Sequence, residues 1–321
     1  VSLSPEDNKR VGGSDVAAIV GVSPYASAFS VYQRIVHGVE LPESEAMARG
    51  TRLESAVIAW CADETGRRVR RSVSLSCREP WQRASVDALS WAAEGSRRVV
   101  EGKTSGRWMT NGWGTPGTDE VPQHYLCQVQ WYMGHGLRSG QVHERVADLP
   151  LLREDFALYS VPYDEDVFLE LEDRAARFVH DHVRKQVPPD VTALPQDLEM
   201  LKRRFPRHTA NALDATSLEP SALYTLDEHR RAVAAAKEAM KAREKWTARV
   251  QMLLAEHEGV VWPDGTRLDW KQNKPSTVTD WEAVAKAIYA DSDRAWKDVV
   301  AEFTTQREGA RPLVWREARK K

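Results

Sequence analysis

Cysteine is scarce: the 321-residue chain has three, Cys61, Cys77 and Cys127. An odd, scattered set gives no fully paired disulfide framework and no four-cysteine zinc or iron–sulfur site. A reducing cytoplasm is the expected compartment. Long apolar runs are missing too, so no membrane span is expected, and the first ten residues hold no apolar core of a secretory signal. No G-x-x-x-x-G-K-[ST] occurs, which excludes the phosphate loop of an ATP-driven motor. Net charge is nearly absent: 45 Lys and Arg against 47 Asp and Glu leave −2. That balance does not announce nucleic acid. The charge is uneven, however, with −5 over residues 1–195 and +3 over 196–321. Arg67, Arg68, Arg70 and Arg71 form a local basic run. Such a run reads as a solvated strand, or as one side of a basic groove on an acidic protein.

What is present suffices for a sizeable core, since 42% of residues are hydrophobic, and the length suits two domains. The texture changes at Pro188-Pro189 to Pro195, a linker signal. This divides the chain into 1–189 and 190–321. In the first part, Ser14 or Asp15 reads as the N-cap of a helix over the apolar run from Val16 to Val20. Further helices are expected over 30–36, 43–65, 121–134 and 164–185. Strands are expected over 68–75, 82–86, 97–103, 141–146 and 156–161. The order gives an α/β (α+β) fold, a sheet with helices around it. The second part reads as mainly helical. A long helix over 223–257 carries a seven-residue seam at Leu226, Val233, Met240, Thr247 and Leu254. A hairpin turns at Pro263-Asp264-Gly265. Six of the twelve Trp lie in this part, more consistent with packing than with base stacking.

The segment with most chemistry is Val99-Val100-Glu101-Gly102-Lys103. In a strand, residues two apart share a face, so Glu101 and Lys103 are neighbours. Alone they read as an ordinary surface ion pair. Asp87, on a strand-like segment 14 residues upstream, changes the reading. Two adjacent strands would bring the two carboxylates together, and clustered anions need a cation between them. Oxygen donors suit Mg²⁺ or Mn²⁺, and Lys103 could hold a water and stabilise phosphate charge. Glu54, in an apolar helical context, is a third acid, or a residue of that helix's polar face. Gln128 is a polar position in an apolar helix and, if buried, needs a partner such as Lys103. His180 and His182 read as surface residues. Gly112 to Gly117, with Arg107, Trp108 and Trp113 nearby, reads as a mobile surface loop or as the border of a DNA path.

Five blocks stand in order: Gly12-Gly13-Ser14-Asp15, Gly50 to Glu54, Ser85 to Leu89, Glu101 to Ser105, and Gln128 to Tyr132. Together they resemble the YqaJ-type phage recombinase family, related to lambda exonuclease, within the PD-(D/E)XK nuclease superfamily. The resemblance covers about residues 9–187. Val86 and Ala88 stand where the family usually has Pro and Gly around the aspartate, and Gly102 where it usually has Ile. The resemblance implies a nuclease core in 1–189, a central mixed β-sheet flanked by helices; the mainly helical C-terminal region containing a β-hairpin is read from the residue pattern alone. It implies that Asp87, Glu101 and the Gly102 carbonyl ligate Mg²⁺, or Mn²⁺ in its place, with Glu54 serving a second ion. Lys103 would position the attacking water and Gln128 would orient Lys103 or that water, while Ser14 and Arg10 would bind a 5′ phosphate. The implied activity is a 5′-to-3′ exonuclease on double-stranded DNA ends that leaves 3′ tails for recombination. A ring-shaped homo-oligomer, a single-strand annealing partner and a phage or prophage gene in a bacterial cell are implied with it. The rival expectations are a non-catalytic nuclease-fold DNA-binding or assembly protein, and a structure- or site-specific endonuclease.

Overall fold

The computed structural model describes residues 9–106, 112–207, 212–290, 296–307 and 314–316. The chain forms two compact units, Val1–Thr209 and Ala210–Lys321. In the first, helices α1 (Gly13–Ile19), α2 (Ala28–His37) and α3 (Glu45–Thr65) precede strands β1 (Arg68–Leu75), β2 (Ala84–Trp91), β3 (Arg97–Val100) and β4 (Lys103–Thr104). Helix α4 (Gln123–Arg138), strands β5 (Val146–Leu152) and β6 (Phe156–Pro162), and helices α5 (Glu165–Phe178) and α6 (Pro195–Arg204) follow. After α5 the helix widens into one π-helical stretch over Val179–Arg184. The sheet is mixed. β1, β2 and β3 run antiparallel in turn, β3 and β4 both lie parallel to β5, and β6 returns antiparallel.

Local chemistry sets the helix ends. Ser44 Oγ accepts the Met47 amide at 3.2 Å to open α3, and Gly66 closes it at φ +64°, a conformation glycine adopts without strain. Asp164 accepts the Asp166 and Val167 amides to open α5. Along α3, Glu54, Val57, Ile58 and Cys61 recur at helical spacing and form the stripe that meets the sheet. Ile58 and Cys61 pack there with Ala88 and Val100. Val129, Trp131 and Met133 of α4 pack with Val86, Leu89 and Val99 in the larger cluster. Val99 and Val100 are adjacent in one strand, so the two clusters occupy opposite faces of the sheet.

Two departures from regular pairing shape the middle of the sheet. Arg71 lies opposite Ala88 and Val73 opposite Val86, so the skipped pair is Ser72 and Asp87. Ser72 has φ +54°, which costs a non-glycine residue about 1 kcal/mol. Both strands change face there: Val69 and Ala88 belong with α3, Val73 and Val86 with α4. The second departure separates β3 from β4. The Glu101 amide donates to the Asp148 carbonyl and the Ser105 amide to that of Leu152. By alternation Pro150 faces the same way. Having no N–H, it cannot complete the ladder between them.

β5 lies later than the strand expected over 141–146. Its Asp148 and Pro150 obscure it locally, and tertiary pairing between two neighbours overrides them. Arg98 makes Asp148 tolerable, donating to its carboxylate at 2.8 Å. The first unit reaches Thr209 and includes α6, which the sequence reading places with the C-terminal region. Asp197 at the start of α6 accepts the Ser27 hydroxyl at 2.6 Å.

In the second unit, helix α7 (Pro220–Leu254) leads to strands β7 (Gly259–Val261), β8 (Arg267–Asp269) and β9 (Ser276–Thr279). Helices α8 (Trp281–Ala290) and α9 (Trp296–Glu302) and strands β10 (Thr304–Arg307) and β11 (Val314–Arg316) follow. The expected hairpin joins β7 to β8, with Gly265 at φ +86° and Asp264 accepting the Thr266 amide. β11 pairs with β8, and β10 with β9. Of the seven-residue seam, Leu254 is buried, while Leu226, Val233 and Met240 are exposed. Trp246 and Trp281 are exposed as well. Among the described residues no helix is long and apolar enough to cross a membrane.

Candidate active site

Asp87, Glu101, Lys103 and Gln128 meet where β2, β3 and β4 face α4. The Lys103 ammonium donates to Glu101 Oε1 and to Gln128 Oε1, each at 2.9 Å. The Gln128 amide nitrogen donates to Glu101 Oε1 at 2.7 Å and to the Tyr132 hydroxyl at 3.0 Å. Asp87 Oδ2 accepts the Gly102 amide at 2.9 Å, and the Asp87 amide makes a long 3.4 Å contact to Glu101 Oε2. Asp87 sits at the place where β1 and β2 change face, and Glu101 and Gly102 sit in the break between β3 and β4. The irregular sheet thus gathers the acids at one point.

The electrostatics follow from burial. Burial, and then the Glu101 charge, push the Asp87 carboxyl up to about 8 against the downward pull of Lys103; Glu54 adds to the push and the Gly102 amide opposes it. Burial pulls the Lys103 ammonium down, but Glu101 and Asp87 more than offset it, so its pKa is raised and it stays charged. Its ammonium also lies 4.6 Å from the centroid of the Tyr125 ring, within cation–π range. Tyr132 is raised well above the ordinary phenol value, first by burial and then by Glu101, so it remains a neutral hydroxyl.

The donor set fits a hard divalent cation. Ionising Asp87 beside Glu101 would leave two carboxylates with a single ammonium, bonded to Glu101, and all the acidic donors are oxygens. Among the described residues Asp87 Oδ1 has no protein partner. Glu54 is near enough to bias Asp87 and lies on the sheet-facing stripe of α3, not on its polar face. The side chain that meets it is Arg71, Nη2 to Oε1 3.5 Å. Among the described residues no three His, Cys, Asp or Glu side chains group closely enough to hold an ion. Glu54 therefore stands outside the Asp87–Glu101 pair in this conformation. A Cβ at Gly102 would come within 3.3 Å of Val57 and Ile58, so glycine here matches the close approach of α3.

The structure corrects the expected helix cap. Gly12 is the N-cap of α1, and Ser14, in the first turn, is exposed. Asp15 turns back to accept the Gly12 amide at 2.7 Å and pairs with Arg34 at 2.8 Å. Neither Gly12 nor Gly13 has positive φ among the described residues; the requirement for glycine is one of close contact, and it is firm at Gly13, whereas the guanidinium near Gly12 is the end of a flexible side chain. A Cβ on Gly12 would lie 2.7 Å from the Arg83 guanidinium, and one on Gly13 2.6 Å from the Tyr132 ring. Arg10 lines a surface hollow with Cys77 and Arg83.

Gln130 has a separate role. It bonds the Pro162 carbonyl and the Asp164 amide, pinning the join between β6 and α5. Arg107 and Trp108 lie outside the described residues. Trp113 packs against Tyr125 and Tyr159, which makes it a support for the Lys103 shelf. His180 and His182 are on the surface, bonded to Asp181 and to the Val187 carbonyl. Sequence reasoning missed Tyr125 and Tyr132. Their helical spacing from Gln128, three before and four after, was the available signal.

Residues 7–136 match the YqaJ-like viral recombinase domain. The uncharacterized protein YqaJ of Bacillus subtilis (strain 168) is 23% identical over 215 residues, and the match spans 66% of this chain and 66% of that relative's length. Among solved structures, the alkaline exonuclease LHK-Exo from Laribacter hongkongensis aligns at 20% identity and TM-score 0.43, over 61% of this chain and 93% of its own. LHK-Exo in complex with dAMP aligns at 19% identity and TM-score 0.45, over 62% and 95%. A phage-related exonuclease from Haemophilus somnus 129PT aligns at 12% and 0.40, over 55% and 96%.

Proposed function

We propose, from the match of residues 7–136 to the YqaJ-like viral recombinase domain, that this chain is a nuclease of phage-type recombination. In the finer reading it is a Mg²⁺-dependent 5′-to-3′ exonuclease that digests one strand from duplex ends and leaves 3′ single-stranded tails. The observation that carries the reading is the closed network of Glu101, Lys103 and Gln128 beside Asp87. An ordinary surface ion pair would have neither this burial nor a glutamine locking both partners.

Asp87, Glu101 and the Gly102 carbonyl would hold one Mg²⁺, with Glu54 for a second; Mn²⁺ would substitute. Bound there, the ions supply Lewis-acid stabilisation of the attacking and leaving oxygens. The protein's own part is positional and electrostatic. Lys103, held charged by Glu101, orients the attacking water and stabilises charge on the phosphate. A charged ammonium cannot take that water's proton, so Lys103 acts as a stabiliser and not as the base. Gln128 fixes Lys103 and Glu101 relative to each other. Ser14 and Arg10 are assigned to the 5′ phosphate, and a ring-shaped homo-oligomer and an annealing partner are expected, all on the family resemblance.

The test is a digest of linear and covalently closed duplex, labelled at either end, with Mg²⁺ or with EDTA. Consumption of linear DNA from the 5′ end, with circles intact and EDTA abolishing the reaction, supports the reading. Cut circles would select an endonuclease, and no cleavage with any divalent ion would select a binding or assembly role.

A further inference from the structure

β1 forms one edge of the sheet and exposes Arg68, Arg70 and Arg71. Arg71 immediately precedes Ser72, whose positive φ falls opposite Asp87. It reaches the α3 side, where its Nη2 lies 3.5 Å from Glu54 Oε1. This contact differs from the structural ion pairs of the same unit. Arg98 grips Glu144 through two nitrogens at 2.6 and 2.9 Å and Asp148 at 2.8 Å, with side-chain exposure of 22%. Arg71 makes a single long contact at 47% exposure. Charge-assisted bonds that hold a fold are short and often bidentate, whereas an exposed single contact is easily exchanged.

We propose that Arg71 is an exchangeable counter-ion for Glu54 whose second partner is a DNA phosphate. Without DNA it neutralises Glu54 and keeps that carboxylate apart from Asp87 and Glu101. A phosphodiester offers the guanidinium fork two oxygens in place of one carboxylate contact. Arg71 then moves to the phosphate, with Arg68 and Arg70 along the same edge, and Glu54 is released to complete the acidic set. DNA binding and completion of the cation site become one event. The inference rests on the nuclease reading. Its rival is that these arginines only block edge-to-edge pairing of β1.

The test uses the full chain and Arg71→Gln, which removes an exposed charge and leaves the core untouched. Duplex binding is followed by anisotropy in EDTA across a salt series, and Mn²⁺ binding by calorimetry without DNA. Arg71→Gln should lower the slope of log K against log[salt] by about one. It should also tighten Mn²⁺ binding severalfold, and adding Glu54→Gln should remove that gain. An unchanged slope or an unchanged Mn²⁺ affinity overturns the proposal. A wild-type protein that binds neither duplex nor Mn²⁺ overturns the nuclease reading itself, so the two failures are distinct.

Discussion

The Gln128 amide nitrogen donates to Glu101 Oε1 at 2.7 Å, on the same oxygen that receives the Lys103 ammonium at 2.9 Å. Glutamine suits this position because its other atom, Oε1, accepts a Lys103 proton. One neutral side chain thereby satisfies an anion and a cation together. Gln128→Leu keeps the volume and removes both bonds. Single-turnover cleavage should fall about 10- to 100-fold, the scale for losing an outer-shell partner. Duplex affinity should change little. A wild-type rate would show that Lys103 and Glu101 orient each other without help.

Lys103 should matter more. Lys103→Ala should leave duplex binding measurable and cut the chemical step by about 100-fold or more, the loss expected for one transition-state stabiliser. Single-turnover kinetics at saturating Mg²⁺ read it directly. An unaltered rate would make Lys103 only the ion-pair partner of Glu101.

Asp87 is held at a stability disadvantage, buried beside a second carboxylate. Asp87→Asn keeps the shape and the acceptor for the Gly102 amide but removes the charge. It should abolish cleavage and raise the melting temperature of the metal-free protein. Calorimetric melts in EDTA test the second half. A lowered melting temperature would mean that the carboxylate stabilises the fold, contrary to a site kept for function.

The site was more legible in the sequence than its surroundings. Glu101 and Lys103 follow from strand alternation, Asp87 from the pairing of adjacent strands, and Gln128 from a polar residue on an apolar helix. Glu54 was ambiguous until its spacing to Val57, Ile58 and Cys61 was seen against a real sheet. What local rules could not reveal are features that exist only in three dimensions. Asp15 outcompetes Ser14 because Arg34 of another helix steadies it. β5 hides behind Asp148 and Pro150, which Arg98 and the break at Glu101–Gly102 make acceptable. The face change at Ser72 and Asp87 leaves no mark in composition, since Ser72 is not the glycine such a φ favours.

The last prediction concerns acid stability. His135 is 1% exposed, set edge-on to Trp131 and Phe168, and neither ring nitrogen has a hydrogen-bond partner among the described residues. Burial lowers its pKa from 6.5 to about 4, with Glu172 pulling up and Arg138 pulling down. Between those values the unfolded chain binds a proton that the folded chain refuses. The contribution of His135 to folding stability must therefore decline as pH drops from about 6.5 to about 4, by about 3 kcal/mol in total. Glu144 acts in a lower window. Burial alone would raise it, but bonds from Arg67, Ser96 and Arg98 hold it at about 2, so its contribution fades only below about 4.5. The difference in urea midpoint between wild type and His135→Leu, followed from pH 7 to pH 4.5, isolates the histidine, because Asp87, held up to about 8 and titrating in the same window with the opposite sign, is common to both proteins. Relative to wild type, His135→Leu should gain stability as pH falls over that range, with no loss at pH 7, because a buried N–H without an acceptor has been removed. If the variant loses stability in parallel with wild type at every pH, His135 is not the group that titrates.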